Sequence, residues 1–256
     1  MRPPPRCMRT ADDLDDRTGL RLVVFDGDDT LWETERLYDE AREAAGRLVG
    51  AAGLDPVAWD ALERSIDVAN AERHGLSKAR FPLSCVQAYE ETARRAGVAV
   101  DQGLMESVRA AAAAVFTAAA VVYPGAEDTL RTLRAMRRLA LLTQGDTEVQ
   151  WHRIDASGLK PLFDNIRVVE KKNAEVLASL LDELGADPAS SWFVGNSLAS
   201  DVNPARRCGM RAVWIDAHVW EHERREARDH EDGIWEAGRL SDVPAVIAAA
   251  EDGVPT

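Results

Sequence analysis

The sequence predicts an α/β protein: a three-layer, doubly wound parallel sheet with an α-helical domain inserted after its first strand. Three observations carry this. The short β-branched run Arg21-Leu22-Val23-Val24-Phe25 stops at the polar turn Asp26-Gly27-Asp28-Asp29, as a buried strand does where it meets solvent. From Glu33 to Ala120 one helical stretch follows another with no convincing strand between them. After Tyr123-Pro124-Gly125 strands alternate with helices, the pattern of a parallel sheet with a helix on each crossover.

Residues 1–18 are rich in Pro, Arg and Asp without apolar periodicity, and are expected to form a tail outside the fold. The core is expected to comprise 19–32 and 121–256, and the helical insertion 33–120, broken at Gly53-Leu54-Asp55-Pro56, at His74-Gly75 and at Gly97. Helix 126–137, strand 139–143, helix 147–157, strand 166–169 and helix 173–184 follow. Strand 192–195, helix 201–208 and strand 212–215 continue the alternation, and an amphipathic helix, 242–251, closes it. Trp220 to Gly238 is highly charged and reads as either a solvated helix or a loop over the sheet edge.

Composition narrows the function. A chain of 256 residues, 46% hydrophobic and 29% charged, buries a sizeable core. Its net charge of −13 repels phosphate backbones and anionic headgroups, so neither nucleic acid nor a membrane is an expected partner. The longest apolar run, Ala110 to Tyr123, is too short for the roughly 20 residues of a bilayer span. No secretory signal is legible at Met1, and a cytoplasmic location is expected. Cys7, Cys85 and Cys208 have no disulfide or zinc spacing and read as reduced thiols.

In an open parallel sheet, chemistry gathers at the carboxyl ends of the strands. Asp26 and Asp28 after the first strand repel each other unless a cation or shared proton lies between them, although an acidic turn is also a common helix cap. Thr143 ends the second strand before Gln144-Gly145-Asp146, and reads as a phosphate donor or a turn residue. Lys171-Lys172 opens a helix, where the macrodipole disfavours a cation unless an anion is bound. Gly195-Asn196-Ser197 ends the fourth strand, with Asp201 near the start of the next helix. An acid pair, a hydroxyl, a lysine and a further acid in that order are hard to obtain by independent chance.

From Arg21 to Trp214 the chain resembles the haloacid dehalogenase superfamily of phosphohydrolases, with Phe25-Asp26-Gly27-Asp28-Asp29-Thr30-Leu31, Thr143, Lys172 and Gly195-Asn196-Ser197 through Asp201 as its four motifs in family order. The resemblance implies a Rossmann-like core, with the helical block in the place of the small cap domain. It implies Asp26 as a nucleophile forming an aspartyl-phosphate, and Asp28 as acid and then base. Magnesium is implied at Asp26, Asp28, Asp201 and Asn196, and phosphate at Thr143, Gln144 and Lys172. Gln144 stands where the family commonly has Asn, and Asn196 where many members have Asp, which removes one negative charge from the metal site. Only one of the adjacent lysines can face the pocket, and Lys172 fits the motif's continuation.

The expected function is therefore a magnesium-dependent phosphatase acting on a small phosphorylated metabolite. True 2-haloacid dehalogenases lack the second aspartate, which Asp28 supplies. A phospho-accepting receiver module is about half this length and carries its aspartate after the third strand. A non-catalytic binding protein of the same fold has Asn196 as its only support. The tryptophans read as packing residues, except that Trp32, directly after the first motif, is placed to touch substrate.

Overall fold

A computed structural model describes residues 21–215 and 232–253. The expected tail and the charged run 221–231 lie outside the described residues. In chain order the elements are β1 (Leu22–Phe25), β2 (Trp32–Glu33), α1 (Glu35–Ala51), α2 (Pro56–His74), α3 (Arg80–Ala96), α4 (Gln102–Ala113), β3 (Val121–Val122), α5 (Ala126–Arg134) and β4 (Arg138–Gln144). There follow α6 (Thr147–Ser157), β5 (Asn165–Val169), α7 (Ala174–Glu183), β6 (Trp192–Gly195), α8 (Asn203–Arg207), β7 (Arg211–Ile215), β8 (Ile234–Ala237) and α9 (Val243–Glu251).

Six strands form one parallel sheet in the order β5-β4-β1-β6-β7-β8. Residues alternate between its faces. Val23, Phe25, Leu139, Leu141, Trp192 and Val194 pack toward α5 and α9, whereas Leu22, Val24, Ala140, Leu142 and Phe193 pack toward α7 and α8. Because both faces are covered, β1, with all four residues buried, has no polar position to show. β8 corrects the sequence reading of the segment before Gly238. Ile234–Ala237 is neither helix nor loop but a parallel edge strand on β7, and it is so short and half-buried that its pattern is lost among charged neighbours.

The helical block leaves and rejoins the core through an antiparallel pair, Trp32 opposite Val122 and Glu33 opposite Val121. Asp55, Asp101 and the left-handed Gly97 (φ 69°) set the ends of its helices. It has its own core around Val49, Trp59, Phe81 and Tyr89, each such side chain contributing about 1.5–3 kcal/mol by leaving water. Buried ion pairs cross it: Arg42 Nε donates to Glu63 at 2.6 Å, joining α1 to α2, and Arg80 donates to Asp67, joining α3 to α2.

Candidate active site

Asp26, Lys172 and Asp201 meet at the carboxyl ends of the central strands. Asp26 is the first residue beyond β1, its N–H still bonded to Val194 O at 2.9 Å, and its carboxylate is buried. Lys172, between β5 and the Asn173 cap of α7, reaches Asp26 Oδ1 at 2.5 Å and also donates to Asp201 Oδ1. Lys171 is exposed, so Lys172 is the lysine that faces the site. The other oxygen of Asp201 accepts the Ser197 N–H at 3.0 Å, within a single π-helical turn, Leu198–Val202, where the sequence predicts the start of an ordinary helix. That widened turn folds Asp201 back over Gly195, where any Cβ would collide with its carboxylate.

Two carboxylates around one ammonium leave a buried negative charge. Burial, reinforced by Asp201 and only partly offset by Lys172, pushes the Asp26 carboxyl up to about 8. Burial works against the Lys172 ammonium, but Asp201 and Asp26 pull its pKa above the usual lysine value. The Thr30 hydroxyl lies 3.2 Å from Asp26 Oδ2 and 3.3 Å from Asn196 Oδ1, and Trp214 Nε1 donates to the Asn196 carbonyl at 2.8 Å.

Asp28 is gripped by three donors. Trp32 Nε1 reaches Oδ1 at 2.7 Å, while Gln150 Nε2 and Arg153 Nη1 reach Oδ2 at 2.8 and 2.7 Å. Trp32 is fully buried and does not line the cavity, so it holds Asp28 rather than touching substrate, contrary to the sequence expectation. The buried Thr143 hydroxyl donates to Gln150 Oε1 at 2.9 Å, and the Gln144 side chain, on the cavity wall, accepts the Lys172 N–H at 2.7 Å, bracing the loop that carries the lysine. Next to Asp28, Asp29 adopts a left-handed backbone (φ 57°) and caps α1 by accepting from Thr34 and Glu35.

Sequence reasoning missed Gln150 and Arg153. They lie three residues apart on α6, hence on one face, and an amide and a guanidinium sharing a buried helix face was the available signal. Asp26, Asp28, Gln144, Lys172 and Asn196 line a cavity of about 160 Å³ between the sheet and the helical block, which adds Glu35, Tyr38, Arg42, Arg80 and Phe116.

A family model described as haloacid dehalogenase-like hydrolase matches residues 20–209. The chain belongs to that family. Its similarity to a haloacid dehalogenase-like hydrolase of Xanthomonas campestris covers 91% of this chain and 98% of that one, with a TM-score of 0.75 and 26% identity. It is 29% identical over 203 residues to the glyceraldehyde 3-phosphate phosphatase of Methanopyrus kandleri, covering 77% of this chain and 84% of that protein. Phosphoserine phosphatase of Thermus thermophilus is 27% identical over 223 residues, covering 77% and 89%. No described helix is long and apolar enough to cross a membrane.

Proposed function

We propose that this hydrolase is a magnesium-dependent phosphatase that cleaves a small phosphate monoester through an aspartyl-phosphate on Asp26. The observation that carries the reading is the buried Asp26–Lys172–Asp201 cluster, whose Asp26 and Lys172 line a cavity between the sheet and the inserted helices. The cavity is small against the roughly 300–1,000 Å³ of drug-sized ligand pockets, which favours a compact ester over a nucleotide. Two of the relatives are named for three-carbon phosphate esters, glyceraldehyde 3-phosphate and phosphoserine, while others are named for a pyrimidine nucleotide and an acylneuraminate phosphate, and all of these are small phosphate monoesters.

The donor set fits a hard divalent cation. Among the described residues no three His, Cys, Asp or Glu side chains cluster as a metal site, but magnesium is usually held by one or two carboxylates completed by other oxygens. Asp26 and Asp201 would supply the carboxylates, and the Asp28 backbone carbonyl and Asn196 the neutral oxygens. When bound, the cation would offset the uncompensated charge of the cluster and favour the ionised, nucleophilic form of Asp26.

In the first step an Asp26 oxygen attacks phosphorus as the ester P–O bond breaks, and the leaving oxygen takes its proton from Asp28. In the second, Asp28 takes a proton from water, which attacks the same phosphorus and releases Asp26 and inorganic phosphate. Lys172 holds the phosphoryl oxygens, where charge accumulates. Trp32, Gln150 and Arg153 fix the rotamer of Asp28 beside the cavity. The inserted helices serve as a cap that shields both steps from bulk solvent while leaving room for the one water that the second step consumes. The test is hydrolysis of an aryl phosphate by wild type and Asp26→Asn, each with magnesium and with chelator. Magnesium-dependent turnover that is lost in the variant is expected, and retention of more than a few per cent of activity would refute Asp26 as nucleophile.

A further inference from the structure

Among the described residues six carboxylates line the cavity, and five of them are already engaged. Lys172 donates to Asp26, Gln150 and Arg153 to Asp28, Thr34 to Asp29, Arg80 to Asp67, and the backbone amides of Glu148 and Val149 to Asp146. The sixth is Glu35, in the first turn of α1, whose carboxylate accepts no hydrogen bond among the described residues. It is also open, with 33% of its side-chain surface exposed. Arg42 Nη1 stands 3.8 Å from Glu35 Oε1, beyond hydrogen-bond reach. That guanidinium is spent elsewhere, on Asp39 at 2.9 Å and on Glu63 at 2.6 Å, so three carboxylates share one cation and Glu35 holds the weakest claim on it.

The backbone sets Glu35 beside the leaving group. Its N–H donates to Asp29 Oδ1 at 3.1 Å, and Asp29 adjoins Asp28, the acid assigned to the leaving oxygen. Tyr38, three residues along and so on the same face of α1, also borders the cavity, its ring 4.9 Å from that of Phe81 and 6.4 Å from that of Phe116. A group that leaves past Asp28 therefore meets the Glu35 carboxylate with an aromatic wall alongside. An ionised carboxylate can only accept hydrogen bonds, so the donor must come with the substrate. A carboxylate or second phosphate brought to the same place would meet like charge. Burial raises the Glu35 carboxyl to about 7, and a bound donor would draw it back toward the ionised form.

We propose that Glu35 is a specificity-determining residue that accepts an N–H or O–H donor from the leaving group, making the substrate a phosphate monoester of a short alcohol that bears an amine or a second hydroxyl rather than an acid. This rests on the phosphatase reading above. Asp26 and Lys172 would then handle the phosphoryl group common to all such esters, and Glu35 the part that distinguishes one alcohol from another.

The test is binding of four phosphonates, which cannot be hydrolysed and differ only at the far end: 3-aminopropylphosphonate, 3-hydroxypropylphosphonate, butylphosphonate and 4-phosphonobutyrate. Titration calorimetry with magnesium at pH 8 is run on the full chain as wild type, Glu35→Gln, Glu35→Ala and Glu35→Met, with thermal melts to identify folded variants. Wild type should bind the amino or the hydroxyl compound at least about fivefold tighter than butylphosphonate, and 4-phosphonobutyrate no tighter than butylphosphonate. That preference should fall at least about threefold in a folded Ala or Met variant. Glu35→Gln, which keeps an acceptor without the charge, separates the two donors: a hydroxyl preference is partly retained and an ammonium preference is lost. A merely structural Glu35 would shift all four affinities alike. A smaller wild-type preference, no binding counting as none, tighter binding of 4-phosphonobutyrate, or a preference that survives in a folded Ala or Met variant would overturn the proposal. Magnesium-dependent aryl phosphate turnover without the preference keeps the phosphatase and removes the subsite; the preference without turnover of any ester does the reverse.

Discussion

Gly27→Ala tests the link between packing and catalysis at the first motif. A Cβ on Gly27 would lie 2.5 Å from Trp32 Cζ2, 2.9 Å from Cη2 and 3.3 Å from Thr143 Oγ1. Trp32 has nowhere to go, being fully buried, paired through β2 with β3, and tied by its indole N–H to Asp28. Overpacking of this kind costs about 1–3 kcal/mol, and displacing the indole from a carboxylate removes a hydrogen bond of about 1.5–3 kcal/mol. A total near 3 kcal/mol lowers Tm by roughly 6–12 °C for a chain of this size. The rate should fall as well, with kcat reduced about tenfold, or 1.4 kcal/mol in the barrier, because Asp28 loses one of its three donors. The decisive assay is a double-mutant cycle with Trp32→Phe, read by denaturant unfolding. Phenylalanine lacks the two ring atoms that collide, so the alanine methyl then fills space instead of overfilling it. The double variant should be more stable than the sum of the single effects by about 1 kcal/mol or more. An additive cycle, or a Gly27→Ala protein with wild-type Tm and kcat, would refute the view that this glycine exists to let Trp32 hold Asp28.

Two further outcomes follow from the site. Asn196→Asp should lower the magnesium concentration that half-activates the enzyme, since it restores a carboxylate to the oxygen set; an unchanged midpoint places residue 196 outside the metal's ligands. Burial, against the opposing pull of Arg42, raises the Glu35 carboxyl from its ordinary 4.5 to about 7. The folded state then binds more protons than the unfolded chain between those values, so this contribution to stability is full below pH 4.5 and is lost as pH rises through 7. Wild type should therefore lose more Tm between pH 5 and pH 8 than Glu35→Gln, and parallel profiles would show that Glu35 does not titrate there.

The legible part of this protein is local. The run Leu22–Phe25 reads as a strand because four consecutive apolar residues can be buried only between two layers, and the strand-helix rhythm after Gly125 leaves a parallel sheet as the natural arrangement. Asp26 and Asn196 are legible for a related reason, since a polar residue directly after a buried strand sits at the sheet's carboxyl edge wherever the rest of the chain goes; Lys172 and Asp201, farther beyond their strands, are legible through the order of the motifs. β8 was hidden because an edge strand with one covered face needs no continuous apolar run.

The sequence by itself determined the core, the helical insertion, the order of the strand-end acids and lysine, and the family to which they belong. Only the tertiary structure decided how Asp28 is held. Gln150 and Arg153 reach it from 122 and 125 residues away, and the same contacts turn Thr143 toward Gln150 and assign Trp32 to support. Which donors converge on one carboxylate depends on how a helix and a strand pack in space, and a spacing along the chain carries no record of that packing.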